Sequence, residues 1–283
     1  MLVNKMKISV FSSGSSGNCE LIRTENLNIL IDAGITKKQI DDNLLEYDLT
    51  LNDIDVLLIT HEHSDHVKSL VSLLKYDNIK TFMSRGTYFE LLKINNNKAS
   101  SLNLLKDRLN EGKIILLNRL DNFDYEEIKY LDLTIKPIAA FHDAAECVGY
   151  VLKADDKSLG LLTDTGYVHK NVIPYLMNLN CYILESNHDP EMLMASSRPY
   201  YLKQRILSDH GHLSNQDSMA VLVKIIGDKT KLVMHAHISN ECNLSQIVEL
   251  TRKAVFNDYG ISTEGVKFVI LHDYKSEDFE IWK

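Results

Sequence analysis

Within six residues, "HEHSDH" supplies His61, His63, Asp65 and His66, four metal-ligating side chains directly after the apolar run Leu57 to Ile59. Packing does not call for such density, because each polar group buried without a partner costs free energy. Metal coordination accounts for it. Residues two apart in an extended segment point to the same side, so His61 and His63 can share one ion. Asp65 and His66, past a turn toward a helix, can reach a second. Other ligand types also follow apolar runs: His142 in "IAAFHD", Asp164 in "LGLLTDTG", His235 and His237 in "KLVMHAHIS". A carboxylate has two oxygens, which suits Asp164 to a bridging position, with His142 and one of His235 or His237 completing two sites. The set lacks thiolate and admits Zn or Mn without selecting sharply between them. Two divalent ions ~3.5–4 Å apart share a hydroxide, bring the pKa of its parent water toward ~7, and neutralise charge on phosphoryl oxygens. The chemistry so indicated is metal-assisted hydrolysis, and such charge neutralisation suits a phosphodiester.

These residues need strands that end together. Twelve short β-type runs occur: "KISVF", "CELIRT", "LNILID", "DVLLIT", "KTFMS", "GKIILLN", "LDLTIKPIAA", "CVGYVLKA", "SLGLLTD", "CYILES", "KLVMHA" and "VKFVILH". Helical spacing follows "HSDH", with Val67, Leu70, Val71 and Leu74 on one face. It returns after "GHLSN", where Ser214 and Asp217 form a capping box, and in "LSQIVELTRKAVFNDYG", closed by Gly260. Strands then helices, twice over, predict two sheet-and-helix halves, about 1–125 and 126–283, packed as one domain over 1–283. "KINNNKASS" reads as a surface connection.

The chain has 283 residues, a formal net charge of −8 and four scattered cysteines with no CxxC pair. A disulfide framework is not expected, and a reducing cytoplasm fits. No secretory signal pattern and no apolar run of the ~18 residues that a membrane helix needs is present. The net acidity argues against a nonspecific nucleic-acid binder, although it does not exclude a local basic strip or acidity that faces bound cations.

"THEHSDH" resembles the signature of the metallo-β-lactamase fold. Together with "SSGSSGN", "ILIDAG", "FHDAAECVGYVL", "LLTDTG", "LESNHD", "GHLSN" and "HISNECN", in that order from Ser12 to Asn243, it resembles the YycJ/WalJ-like exonuclease family. The resemblance implies an α/β fold, a four-layer αββα sandwich with a dinuclear metal site at one edge. It implies His61, His63 and His142 on one ion, Asp65, His66 and His237 on the other, and Asp164 bridging. It implies 5′-to-3′ exonuclease action on DNA in the cytoplasm and partners in DNA repair. Three departures stand out. Ser69 replaces a usual glycine, and it is expected only to tighten a helix. Cys242 replaces an asparagine whose hydrogen bond is then in doubt. His235 is an extra histidine which strand alternation would put on the face of His237; the family's His-Leu-Ser alignment favours His237.

Asp65, Asp164 and His212 are the expected catalytic groups, His212 as a donor to a phosphate or to the leaving oxygen. "SSRPYYLKQRI" offers Arg198, Lys203 and Arg205 for phosphates and Tyr200 or Tyr201 for stacking on bases. In "SSGSSGN", Gly14 and Gly17 permit a tight backbone path, and Ser13, Ser15, Ser16 and Asn18 offer compact donors to a passing phosphate. The loop is expected to border the metal edge.

The rivals are a metallohydrolase of a small molecule (a cyclic phosphodiester, lactone or thioester) and a metal-free binding protein on the same fold. His63, where flavin-linked diiron relatives carry glutamate, argues against redox chemistry. The 72 residues between Asp164 and His237 leave no room for the β-CASP insert of ribonuclease J-like enzymes.

Overall fold

The computed structural model describes residues 6–120, 124–275 and 278–281. Its strands run β1 Met6–Ser12, β2 Cys19–Arg23, β3 Asn28–Ile31, β4 Val56–Leu58, β5 Lys80–Met83, β6 Ile114–Leu116, β7 Ile128–Tyr130, β8 Leu133–Ala139, β9 Val148–Ala154, β10 Lys157–Leu162, β11 Cys181–Glu185, β12 Leu232–Ala236, β13 Lys267–Ile270 and β14 Phe279–Ile281. The helices are α1 Lys37–Leu45, α2 Ser64–Val67, α3 Leu70–Leu73, α4 Arg85–Ile94, α5 Ala99–Asn110, α6 Ile173–Leu176, α7 Pro190–Ala195, α8 Tyr200–Ile206, α9 Asn215–Ile225 and α10 Ser245–Asp258. All twelve β-type runs form strands. The short β7 and β14, each three residues long, are too brief for their alternation to announce them.

The chain divides into two compact units. One takes Met1–Arg119, Ala144–Cys147 and Asp273–Glu280; the other takes Leu120–Asp143, Val148–His272 and Ile281–Lys283. The first unit carries a seven-stranded sheet in the order β14-β1-β2-β3-β4-β5-β6. β1, β2 and β3 are antiparallel, and β3 to β6 are parallel. The second unit carries β13-β12-β11-β10-β9-β8-β7, antiparallel from β7 to β10 and parallel from β10 to β13. The parallel strands are apolar along their whole length, as in Ile29-Leu30-Ile31 and Val56-Leu57-Leu58, all fully buried. That pattern belongs to strands covered on both faces.

Helices complete the core of the first unit. α1 opens with a capping box between Thr36 and Gln39 and buries Ile40 and Leu44. These join Leu30, Leu57, Leu70, Leu73, Tyr88, Leu91 and Leu105 in one cluster. The helix expected after "HSDH" is two short helices. Ser69 breaks it: its N–H donates to the Ala33 carbonyl at 2.9 Å and its hydroxyl to the Ile35 carbonyl at 2.6 Å. The residue in place of glycine thus pins the chain to the loop after β3. In the second unit α9 begins at Ser214, whose hydroxyl accepts from the Asp217 N–H at 3.1 Å.

In both sheets the chemistry-bearing residues follow the carboxyl ends of strands: Asp32 after β3, His61 after β4, Asp164 after β10, Glu185 at the end of β11 and His237 after β12. β8 has the sense of β10, so His142 leaves the second sheet at that same edge. Crevices at the carboxyl ends of parallel strands are where α/β sheets place ligands.

Candidate metal centre

In the first unit, strand β4 delivers Thr60 and His61 to the sheet edge, and α2 starts three residues later. His61 and His66 are fully buried, and their rings lie 4.1 Å apart between centroids. His61 Nε2 and His63 Nδ1 stand 3.1 Å apart. Two nitrogens on a tetrahedral ion with ~2.0–2.1 Å bonds would stand roughly 3.3 Å apart, so this pair already has the spacing of shared ligands. Glu62 turns the other way, as alternation requires. Its Oε1 accepts from the Ala145 N–H at 2.6 Å and its Oε2 from the Thr87 hydroxyl at 3.3 Å.

Asp32 organises this cluster, and the sequence reading missed it. Its Oδ2 lies 2.7 Å from His66 Nδ1 and accepts from the Thr60 hydroxyl at 2.8 Å, and its Oδ1 accepts from the Thr60 N–H at 2.8 Å. A carboxylate on Nδ1–H makes Nε2 the nitrogen whose lone pair a cation would take. Asp65 Oδ2 lies 3.7 Å from that Nε2. Asp32→Asn is therefore expected to weaken binding of a divalent ion about 10–100-fold with the fold intact, measured by competition with a chelator. Unchanged affinity would remove Asp32 from the centre.

The serine-glycine loop meets the same cluster. Asn18 Nδ2 lies 3.1 Å from His66 Nε2, and the Asn18 N–H donates to the Asp65 carbonyl at 2.8 Å. A β-turn closes the loop through Gly17 N–H to the Gly14 carbonyl, 3.0 Å. Gly17 adopts φ 155°, and a Cβ there would stand 2.6 Å from the Gly34 carbonyl. Ser13 is buried, whereas Ser15 and Ser16 are exposed at the loop tip.

In the second unit Asp164, Glu185, His212 and His237 offer ligand atoms all within 4.8 Å of one another. Asp164 Oδ1 lies 3.4 Å from His237 Nδ1, 3.7 Å from His212 Nδ1 and 3.9 Å from His142 Nε2. His142 Nδ1 donates to the Gly211 carbonyl at 3.0 Å, which bares Nε2 toward this carboxylate. Burial, helped by the nearby His212, holds the His142 pKa below its ordinary value and keeps the ring neutral, as a ligand must be.

Glu185 is fully buried and grips two histidines, His212 Nδ1 at 2.7 Å and His237 Nδ1 at 3.0 Å. Its Oε2 accepts from the N–H groups of Thr165 and Leu213. Burial alone would raise its pKa. The charge and hydrogen bond of His212 and the hydrogen bond of His237 outweigh that and hold it well below the carboxylate range. In the sequence this residue shows as a carboxylate at the end of the apolar run "CYILE", within "LESNHD".

Asp32, Asp164 and His237 adopt left-handed backbone, at φ 57°, 53° and 55°. Such conformations are uncommon outside glycine and cluster at functional sites. At His237 the turn ends β12 and breaks the strand alternation expected to pair it with His235. His235 is buried inside the sheet, its Nδ1 3.0 Å from the Ser186 hydroxyl and its ring stacked 6.1 Å from Phe268. Burial, reinforced by Arg252, pushes its pKa down to about 3. The unfolded ring takes a proton near its ordinary 6.5. The stability this group contributes is therefore complete above pH 6.5 and falls as pH drops toward 3, by at most about 1.4 kcal/mol per pH unit. His235→Phe is expected to flatten the acid side of stability against pH in denaturant titrations; an unchanged slope would contradict it.

Around this edge the expected phosphate groups separate. Arg205 Nη1 lies 3.0 Å from Asp143, whose other oxygen lies 3.1 Å from His142 Nε2. Arg198 pairs with Glu241 at 2.9 Å. Lys203 is directed inward, its ammonium donating to the carbonyls of Met194 at 2.7 Å and Ser196 at 2.8 Å. It ties α7 to α8 and does not face a phosphate. Tyr200 and Tyr201 are 65% and 73% exposed. Cys242 packs on Leu193 and Ile206, and the remaining Asn243 carries the polar duty, donating to the carbonyls of Ser186 and Asn187.

A family described as the beta-lactamase superfamily domain matches residues 27–236. Exodeoxyribonuclease WalJ of Streptococcus pneumoniae serotype 2 is 34% identical over 245 residues, 87% of this chain and 86% of its own length. Exodeoxyribonuclease YycJ of Bacillus anthracis is 31% identical over 269 residues, 95% of each chain. Among solved structures, the metallo-beta-lactamase fold protein YhfI from Bacillus subtilis superposes with a TM-score of 0.68 at 13% identity, covering 98% of this chain and 100% of that one. The chain belongs to the metallo-β-lactamase superfamily and, within it, to the family of WalJ and YycJ.

Proposed function

We propose that the chain is a metal-dependent exodeoxyribonuclease that degrades DNA from the 5′ end and acts as a single domain in cytoplasmic DNA repair. The observation that carries the hydrolytic reading is the buried Glu185 2.7 Å from His212 beside Asp164. The choice of DNA rests on 31–34% identity to exodeoxyribonucleases over nearly their whole length. In this reading His61, His63 and His142 hold one divalent ion, Asp65, His66 and His237 hold the other, and Asp164 serves both. The donor set of imidazoles and carboxylates suits Zn or Mn. Such ions supply Lewis acidity and a bound water of lowered pKa.

The chain's own groups do the rest. Glu185, ionised, accepts from His212 Nδ1–H and stabilises the imidazolium, whose Nε2 proton goes to the departing oxygen. Asp32 fixes the tautomer of His66, and Gly211 that of His142. In this reading Arg205, Ser15 and Ser16 contact phosphates, and Tyr200 and Tyr201 stack on bases.

The test uses purified protein with Mn or Zn and labelled single- and double-stranded DNA blocked at one end, with a cyclic phosphodiester, a lactone and a thioester as comparators. Shortening of strands with a free 5′ end is expected. Turnover of a comparator with intact DNA would overturn the reading.

A further inference from the structure

The sheet of the second unit has a cleft at the edge opposite Asp164, Glu185 and His237. Its parallel strands β10, β11 and β12 end at Asp164, Glu185 and His237. Their starts surround a cleft of about 540 Å³. β11 is five residues long, which sets the two edges roughly 17 Å apart at ~3.3 Å per residue. Four lysines, Lys153, Lys157, Lys229 and Lys231, line the cleft with two aspartates, Asp155 and Asp156. Lys157 is buried and paired with Asp156 at 2.7 Å. Lys153, Lys229 and Lys231 are exposed, and among the described residues no carboxylate pairs with them. A chain of net charge −8 thus keeps a local excess of positive charge in a concave site, where low-dielectric walls focus the field.

The frame of the cleft is rigid. Asn180 Oδ1 accepts from the Ser158 N–H at 2.9 Å and from the Ser158 hydroxyl at 2.8 Å. The Asn180 carbonyl accepts from the Lys231 N–H at 2.9 Å. Asn178, left-handed at φ 55°, accepts the Lys229 N–H on its side-chain oxygen at 2.9 Å. The two asparagines therefore fix the backbone of two of the exposed lysines, Lys229 and Lys231, where it leads into β12. Met177, 56% exposed, and Leu179 add an apolar wall. The volume lies in the usual range for small-molecule sites, which combine an apolar wall with a few polar anchors, and a thioether beside it favours a flat aromatic ring.

We propose that this cleft binds a nucleoside phosphate, its phosphates on Lys153, Lys229 and Lys231 and its base against Met177. The inference is independent of the nuclease reading, since no residue of the metal centre takes part. The test is isothermal titration of the full chain with ADP and dAMP, with inorganic phosphate and an oligothymidylate as separate arms. Saturable nucleotide binding, competed by phosphate and weakened by salt, is expected. It should persist in Asp164→Asn and fall about tenfold or more in the double variant Lys229→Glu/Lys231→Glu. Lys229→Gln with Lys153→Gln repeats the test without charge reversal, and circular dichroism checks the folds. Absence of saturable binding would overturn the proposal. So would binding lost in Asp164→Asn but kept in the lysine variants, which would put the nucleotide at the metal centre. Binding of the oligonucleotide alone would replace the mononucleotide with a DNA track.

Discussion

Asp164→Asn is expected to abolish DNA hydrolysis, lowering kcat/KM on the order of 10³-fold or more, with the fold intact. Three imidazoles of the second unit converge on this carboxylate, at 3.4, 3.7 and 3.9 Å. Asparagine keeps the shape and tolerates the left-handed backbone at φ 53°. It removes the charge and one of the two equivalent oxygens. Asp164→Ala should lose as much activity and also some stability, because alanine is less at ease at that φ. Elemental analysis should find less bound metal in both. An Asn variant with wild-type rate and metal content would show that the carboxylate is not central.

The second large effect is structural. Gly34→Ala is expected to destabilise the protein by about 3 kcal/mol or more, enough to lower Tm by roughly 10 °C. A Cβ at Gly34 would sit 1.6 Å from the Asp65 carbonyl oxygen and 2.6 Å from the Asn18 nitrogen. Neither is a side chain that could swing aside. Gly34 N–H donates to the Asn18 carbonyl, and Asn18 N–H to the Asp65 carbonyl, so three backbones meet at one point. Relief would shift Asp65 and His66, and affinity for metal should fall with stability. Calorimetry decides it: a Tm within about 2 °C of wild type would mean that the contact is not tight.

The parts of the centre that could be read from the chain share one property, in that their meaning is local. Four ligand types in "HEHSDH" need no tertiary partner to look improbable as packing, and the twelve apolar runs announce strands of the right length. Asp32 was overlooked because it acts on His66, 34 residues away, and "ILIDAG" by itself is an ordinary strand end. Glu185 shows in "LESNHD" as a strand-end carboxylate directed to the sheet edge, but the histidines it holds, His212 and His237, lie 27 and 52 residues away. Lys203 misled because helical periodicity tells which face a lysine stem occupies and not where its ammonium ends; here two carbonyls claim it. His235 and His237 look equivalent by alternation. The left-handed turn at His237 separates them, and a histidine in the sequence does not announce such a turn, although histidine is enriched in that region. β7 and β14 escaped notice because three residues carry too little pattern.

The return of β14 to pair beside β1 has a consequence in time. Ser9 bonds Asp278 at 2.7 Å, across 269 residues, and Lys7 reaches Glu280 at 3.1 Å. During synthesis β1 emerges well ahead of the strand that covers its outer edge, since Ser9 and Asp278 lie 269 residues apart. For the whole interval the nascent first unit presents an open, apolar strand edge, the kind of template on which chains aggregate. A chain cut short between β13 and β14 would carry "HEHSDH" and its neighbours but leave the sheet beneath them uncapped. Synthesis of β14 is thus also the step that protects β1.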